Sequence, residues 1–230
     1  MADSVYPDGM PHPAKSLRRR VAIELSALAL LTSIFLSFER ARNLGTFLGM
    51  ALIGAALVGF NARETRERIW GVPSSPDFDR VRRCTLNMTL LTIPPVLAFF
   101  VYALIAGHAL ITIDFLLTLA IYLPWALLQQ TLFQFYLLGR LRVLLPFASP
   151  LYLSVLNGVV YGLVHISPDR PESNIPTVLL TMIGGVFWSY SYHRDRYVLP
   201  IAVSHALLAT TFFFWVLNHD LIQSLAQRFF

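Results

Sequence analysis

The sequence predicts an all-α protein, a polytopic transmembrane helical bundle of about seven spans. Composition is the first observation: 56% of the 230 residues are hydrophobic and only 13% charged, with a mean hydropathy of +0.59. A soluble domain carries about twice that charge. The apolar residues also fall in runs too long for a globular core, and seven spans of roughly 20 residues account for about 140 of them. Finally, the net charge of +5 comes from arginines and the single Lys15, which gather between the apolar runs. In a membrane protein such an excess is a topology signal. No basic run is interleaved with stacking aromatics, so nucleic acid is set aside as a partner. The lone Cys84 excludes an intrachain disulfide and a cysteine zinc site.

Residues 1–20 read as a flexible basic N-terminal tail, with three Pro and one Gly before residue 14. Residues 21–230 read as one transmembrane domain. The first span, roughly 21–38, contains Glu24; no small-x-small cleavage site follows it, which predicts an uncleaved helix. Span 2, roughly 44–60, carries small residues at spacings of four that suit close helix packing in lipid. Asn61–Cys84 reads as an arginine-rich loop with a short interfacial helix ending near Trp70. Span 3, roughly 86–106, should kink at Pro94-Pro95. Span 4 starts near Ile113 and runs to about Leu144. Span 5 covers roughly 150–166 and ends in His165, before a loop at Ser167–Asn174. Span 6 (roughly 175–192), a tight turn at His193–Arg196 and span 7 (roughly 198–217) complete the bundle. If the spans alternate, most basic segments share one side, which puts the N-terminus in the cytoplasm and the C-terminus outside. The expected location is a bacterial cytoplasmic membrane.

Polar side chains inside spans are costly, and they commonly face the bundle interior and mark function. Span 4 has Gln130 and Gln134 at i,i+4, with Gln129 and Phe133 beside them. Span 5 has Asn157, Tyr161 and His165 at i, i+4, i+8, and span 7 has Ser204 and His205 after Pro200. Singly, such residues are most often interhelical hydrogen-bond glue. Jointly, three helices each offer hydrogen-bonding or ligating groups that could converge.

These residues resemble the motifs of the CPBP (CAAX protease and bacteriocin-processing, or Abi) family of intramembrane proteases. The family's Glu-Glu-x-x-Phe-Arg corresponds to Gln129-Gln130-Thr131-Leu132-Phe133-Gln134. Its Phe-x-x-x-His is matched by Tyr161–His165, and its His-x-x-x-Asn by His205–Ala209. The order and spacing agree over about residues 115–215. The resemblance implies a peptide or protein substrate at the membrane face, with Gln129, Gln130, His165 and His205 at the catalytic positions. Phe133, Gln134, Asn157, Tyr161 and Ala209 would line the cavity. Both family carboxylates are amides here, the Arg is Gln134 and the Asn is Ala209. A neutral amide cannot accept water's proton near pH 7. A divalent metal such as zinc would find only His165 and His205, short of the three protein ligands of catalytic zinc. Glu24 or Asp114 are the carboxylates that could stand in.

Three function classes follow. One is a CPBP-like intramembrane endopeptidase in which His165 and His205 activate water. Another is a catalytically inactive relative that binds membrane segments or partner proteins in the same cavity. A transporter is third, disfavoured by the lack of inverted repeats. Membrane lipid is a partner in every case.

Overall fold

The computed structural model describes residues 15–37, 44–65, 78–108, 111–166 and 171–219. Among them it contains no strand and seven helices: α1 (Lys15–Ser37), α2 (Leu44–Thr65), α3 (Phe78–Ala106), α4 (Ile113–Leu144), α5 (Pro150–Leu163), α6 (Pro171–Asp195) and α7 (Leu199–Val216). The all-α architecture expected from the sequence is what the chain adopts. Of the described helices, α3, α4 and α7 are long and apolar enough to cross a membrane, while Leu52–Arg63 and Pro150–Leu163 are shorter apolar helices. Large apolar side chains lie exposed along α3, α4, α5 and α6. A water-soluble monomer does not present surface of that kind on this scale. The chain is an integral membrane protein.

Local chemistry sets the helix ends. Thr112 caps α4: its backbone is extended and its hydroxyl accepts from the Phe115 N–H at 3.1 Å. Ser149 does the same for α5, accepting from Tyr152 N–H at 3.2 Å, with Pro150 at the start where its missing N–H costs nothing. α3 stops at Gly107, whose φ of +69° lets the His108 N–H reach back to the Ala103 carbonyl at 2.9 Å. That is a glycine-terminated helix end in which a side chain at residue 107 would be strained.

Several boundaries differ from the expected ones. α2 continues to Thr65 and α3 starts at Phe78, so Arg80, Arg82 and Arg83 are helical rather than loop. The interfacial helix expected near Trp70 and the N-terminal residues 1–14 lie outside the described residues. α6 starts at Pro171, within the segment read as a loop, and runs to Asp195. The turn before α7 is therefore only Arg196–Val198, with Arg196 at φ 55°. α3 passes through Pro94 and Pro95 as one helix. In α4 the residues Thr131–Leu137 form a π-helical segment, which the apolar period did not signal.

The chain divides into two compact units. The first comprises residues 1–53 and 136–193. In it α1 packs on the Leu138–Leu144 end of α4. There Glu24 accepts from the Tyr136 hydroxyl and from Arg140 Nε at 3.2 Å, and Arg18 donates to the Leu144 carbonyl at 3.0 Å. Arg140 is buried, 1% exposed, with its guanidinium 5.6 Å from the Tyr136 ring centre. α5 and α6 approach through glycines: Gly185 lies 3.0 Å, measured from an ideal Cβ, from the Gly158 Cα.

The second unit comprises residues 54–135 and 194–230. Here α7 packs against both α3 and α4. An aromatic cluster fills one end: Phe115 stacks on Trp215 (5.4 Å, 2°), while Phe100 meets the same indole edge-on at 5.6 Å. Further along, the Thr92 hydroxyl donates to the Ser204 hydroxyl at 2.7 Å. At the other end Asp195 holds Arg83 and Arg194.

Candidate functional site

The candidate residues divide between the two units. The second unit carries Gln129, Gln130, Phe133 and Gln134 on α4 with His205 and Ala209 on α7. The first carries Asn157, Tyr161 and His165 on and just after α5.

On α4, Tyr122, Ala126, Gln130 and Gln134 recur every four residues and share one face. Ala126, Gln130 and Gln134 are fully buried. Gln130 and Gln134, which share a face at i,i+4, are hydrogen-bonded to each other: Gln134 Nε2 donates to Gln130 Oε1 at 2.9 Å. Gln129 is half-buried, and its carbonyl oxygen is enclosed with no hydrogen-bond partner among the described residues. Phe133 and Ala209 are half-buried. His205 is buried and meets the Tyr122 ring edge-on, with centres 5.6 Å apart.

The two aromatic contacts, Phe115 with Trp215 and Tyr122 with His205, show that α4 and α7 run antiparallel. Carrying the first pairing along both helices sets His205 level with Trp125. Gln129 and Gln130 then lie four and five residues further on, about 6–8 Å along the axis. His205 and the glutamines therefore belong to one stretch of the α4–α7 contact. Tyr122 was not singled out in the sequence, although it lies seven residues before Gln129, two turns back on the same face.

On α5, Asn157 and Tyr161 are buried on the expected face. Asn157 Nδ2 donates to Ser189 Oγ at 2.7 Å, and that hydroxyl donates onward to the Gly185 carbonyl at 2.6 Å. His165 departs from the expected stripe because α5 ends at Leu163. It lies in the following turn, and its backbone N–H reaches the Gly162 carbonyl at 2.9 Å. The ring folds back, with Nδ1 2.7 Å from the Tyr161 carbonyl and its centre 4.9 Å from the Tyr161 ring. A carbonyl only accepts, so Nδ1 carries the proton. Nε2 of the neutral ring then bears the lone pair. Trp188 meets Tyr161 edge-on at 5.6 Å.

The carboxylates that could have stood in for the amides are engaged or distant. Glu24 is held by Tyr136 and Arg140. Asp195 is held by Arg83 and Arg194. Asp114 lies in the first turn of α4, sixteen residues from Gln130, which is about 24 Å along a helix. Among the described residues no three His, Cys, Asp or Glu side chains group as a metal ion would require. Glutamine amides are poor ligands for zinc, so the donor set does not fit a catalytic zinc ion, and no step is drawn through one.

Buried amides on a long apolar helix and a buried histidine on the helix packed against it define the class: a polytopic membrane protein with polar side chains buried between apolar helices. The family model for type II CAAX prenyl endopeptidases, Rce1-like, matches residues 110–211. That stretch is similar to the Rce1-like domain, in keeping with the CPBP resemblance, and it holds every one of the candidate site residues. No curated protein and no solved structure matches the chain.

Proposed function

We propose that this CAAX-protease-like membrane protein binds a peptide segment at the membrane through the glutamine face of α4 and has lost rapid hydrolysis. The observation that carries the reading is the Gln129 carbonyl oxygen, enclosed without a hydrogen-bond partner. A buried acceptor left unpaired costs about 1–3 kcal/mol, and a backbone N–H of a bound peptide would satisfy it. Next to it, Gln130 and Gln134 are bonded to each other and keep that stretch of the helix polar. None of these groups can take a proton from water. His205 supplies an imidazole against Tyr122 on the same pair of helices.

The endopeptidase reading has one observation in its favour. The hydrogen bond from His165 Nδ1 to the Tyr161 carbonyl leaves Nε2 with the lone pair that a water-activating base needs.

The test uses full-length protein in nanodiscs and a fluorescent farnesylated CAAX peptide, the substrate type named by the matching family. The native chain should bind the peptide and leave it intact. Gln129→Leu should weaken binding roughly fivefold, the worth of one neutral hydrogen bond. Gln129→Glu with Gln130→Glu and Ala209→Asn should raise cleavage. Brisk cleavage by the native chain, unchanged in Gln129→Ala and Gln130→Ala, sinks the binding reading and places the base elsewhere.

A further inference from the structure

The basic end of the second unit holds a second arrangement, remote from the glutamines in sequence and in chemistry. Asp195 is buried, its side chain 0% exposed, while the two arginines it binds are 45% (Arg83) and 41% (Arg194) exposed. Arg83 places both Nε and one terminal nitrogen on Asp195 Oδ1, each at 2.7 Å. Arg194 forks across the carboxylate with Nε at 3.2 Å and a terminal nitrogen at 2.9 Å from Oδ2. One carboxylate thus fixes two guanidiniums that would otherwise sample many rotamers. Arg83 keeps further N–H donors beyond those spent on Asp195. Across residues 79–83 and 194–196, five arginines face two aspartates, a net +3.

Beneath Arg83 on the same face of α3 lie Leu86, Leu90, Ile93 and Leu97, at alternating spacings of three and four residues, and each is at least half exposed. A fixed guanidinium pair at the end of a membrane-crossing helix, continued by an apolar stripe, matches one kind of molecule. We infer that this end of α3 is a binding site for an anionic phospholipid such as phosphatidylglycerol. The phosphate takes the Arg83–Arg194 pair and an acyl chain lies along Leu86–Leu97. Guanidinium planes suit phosphate oxygens better than an ammonium does. The carboxylate beneath organises the pair while leaving a net positive charge.

The experiment is lipid retention by full-length protein in neutral detergent, read by native mass spectrometry. The lipids are phosphatidylglycerol and phosphatidylcholine, and inorganic phosphate is the competitor. Each arginine near an anionic headgroup is worth about fivefold in affinity, so the native chain should prefer phosphatidylglycerol by roughly 25-fold. Arg83→Gln should cut this to about fivefold. Arg82→Gln, which flanks the stripe on its other side but belongs to no pair held by Asp195, should cost clearly less than Arg83→Gln. Should Arg83→Gln not fold, the native chain still decides. From about 0.1 to about 1 M salt the screening length falls from about 10 to about 3 Å, and the preference should fall with it. Equal retention of the two lipids, or a preference indifferent to both Arg83→Gln and salt, overturns the inference. An equal loss in Arg82→Gln would make it diffuse surface charge, and displacement by inorganic phosphate would make it an ion site; either result overturns it.

Discussion

Gly158→Ala probes the contact on which the first unit depends. A Cβ at residue 158 would stand 2.5 Å from Val186 Cγ2, 2.6 Å from the Val186 backbone N and 2.9 Å from the Met182 carbonyl oxygen. The side-chain atom can rotate away, but the two backbone atoms cannot. Restoring ordinary contact at about 3.5 Å requires α5 and α6 to separate by about 0.9 Å there. Overpacking of this kind costs about 1–3 kcal/mol. The same shift would stretch the neighbouring bond from Asn157 to Ser189, now 2.7 Å, beyond hydrogen-bonding range, a further ~1 kcal/mol. Alanine's better helix propensity returns ~0.5–1 kcal/mol, leaving a net loss of about 1–3.5 kcal/mol. The assay is unfolding in mixed micelles by SDS titration, followed by far-UV circular dichroism. Gly59→Ala is the internal control: nothing lies within 4 Å of its would-be Cβ, so that variant should be neutral or slightly more stable. Equal midpoints for the two variants would refute the close approach of α5 and α6.

Two further outcomes follow from the same structure. Glu24→Ala leaves the buried Arg140 guanidinium without its carboxylate and should cost about 3 kcal/mol in the same titration; a loss under about 1 kcal/mol would show the pair to be solvated. Cys84 is fully buried, so an impermeant maleimide should label it from neither side of the membrane. An Arg82→Cys substitution in a Cys84→Ser background puts the thiol on an exposed position. It should react in inside-out vesicles only, and labelling of intact cells would reverse the expected orientation.

Much of this was legible in the sequence, for a physical reason: in lipid the backbone must satisfy itself, so long apolar runs can only be helices. The glutamine pair was equally legible, because i,i+4 spacing on a helix puts two side chains in reach whatever surrounds them. Tertiary partners were not. Nothing local in Asn157 indicates Ser189, 32 residues on. Glu24 is legible only as a carboxylate within span 1, and its role is set by Tyr136 and Arg140, more than a hundred residues away. The end of α5 before His165 was missed because apolar content continues to Ile166 while the helix stops at Leu163. The π-helical turn at Thr131–Leu137 was invisible because its residues are as apolar as those of the α-helix around it. Tyr122 was passed over because aromatic residues on apolar spans ordinarily anchor at the interface.

The matched family region begins at residue 110, yet its strongest polar ties lead outside it. Arg140 depends on Glu24 in α1, and Asp195 on Arg83 and Ser204 on Thr92 in α3. What recurs across relatives and what folds are therefore different lengths of chain. A fragment cut at the family boundary would carry a buried guanidinium without Glu24 and a buried carboxylate without Arg83, along with the bare flank of α7. Expression, domain grafting and swaps between relatives should treat α1 and α3 as parts of the same inheritance as the glutamine helix.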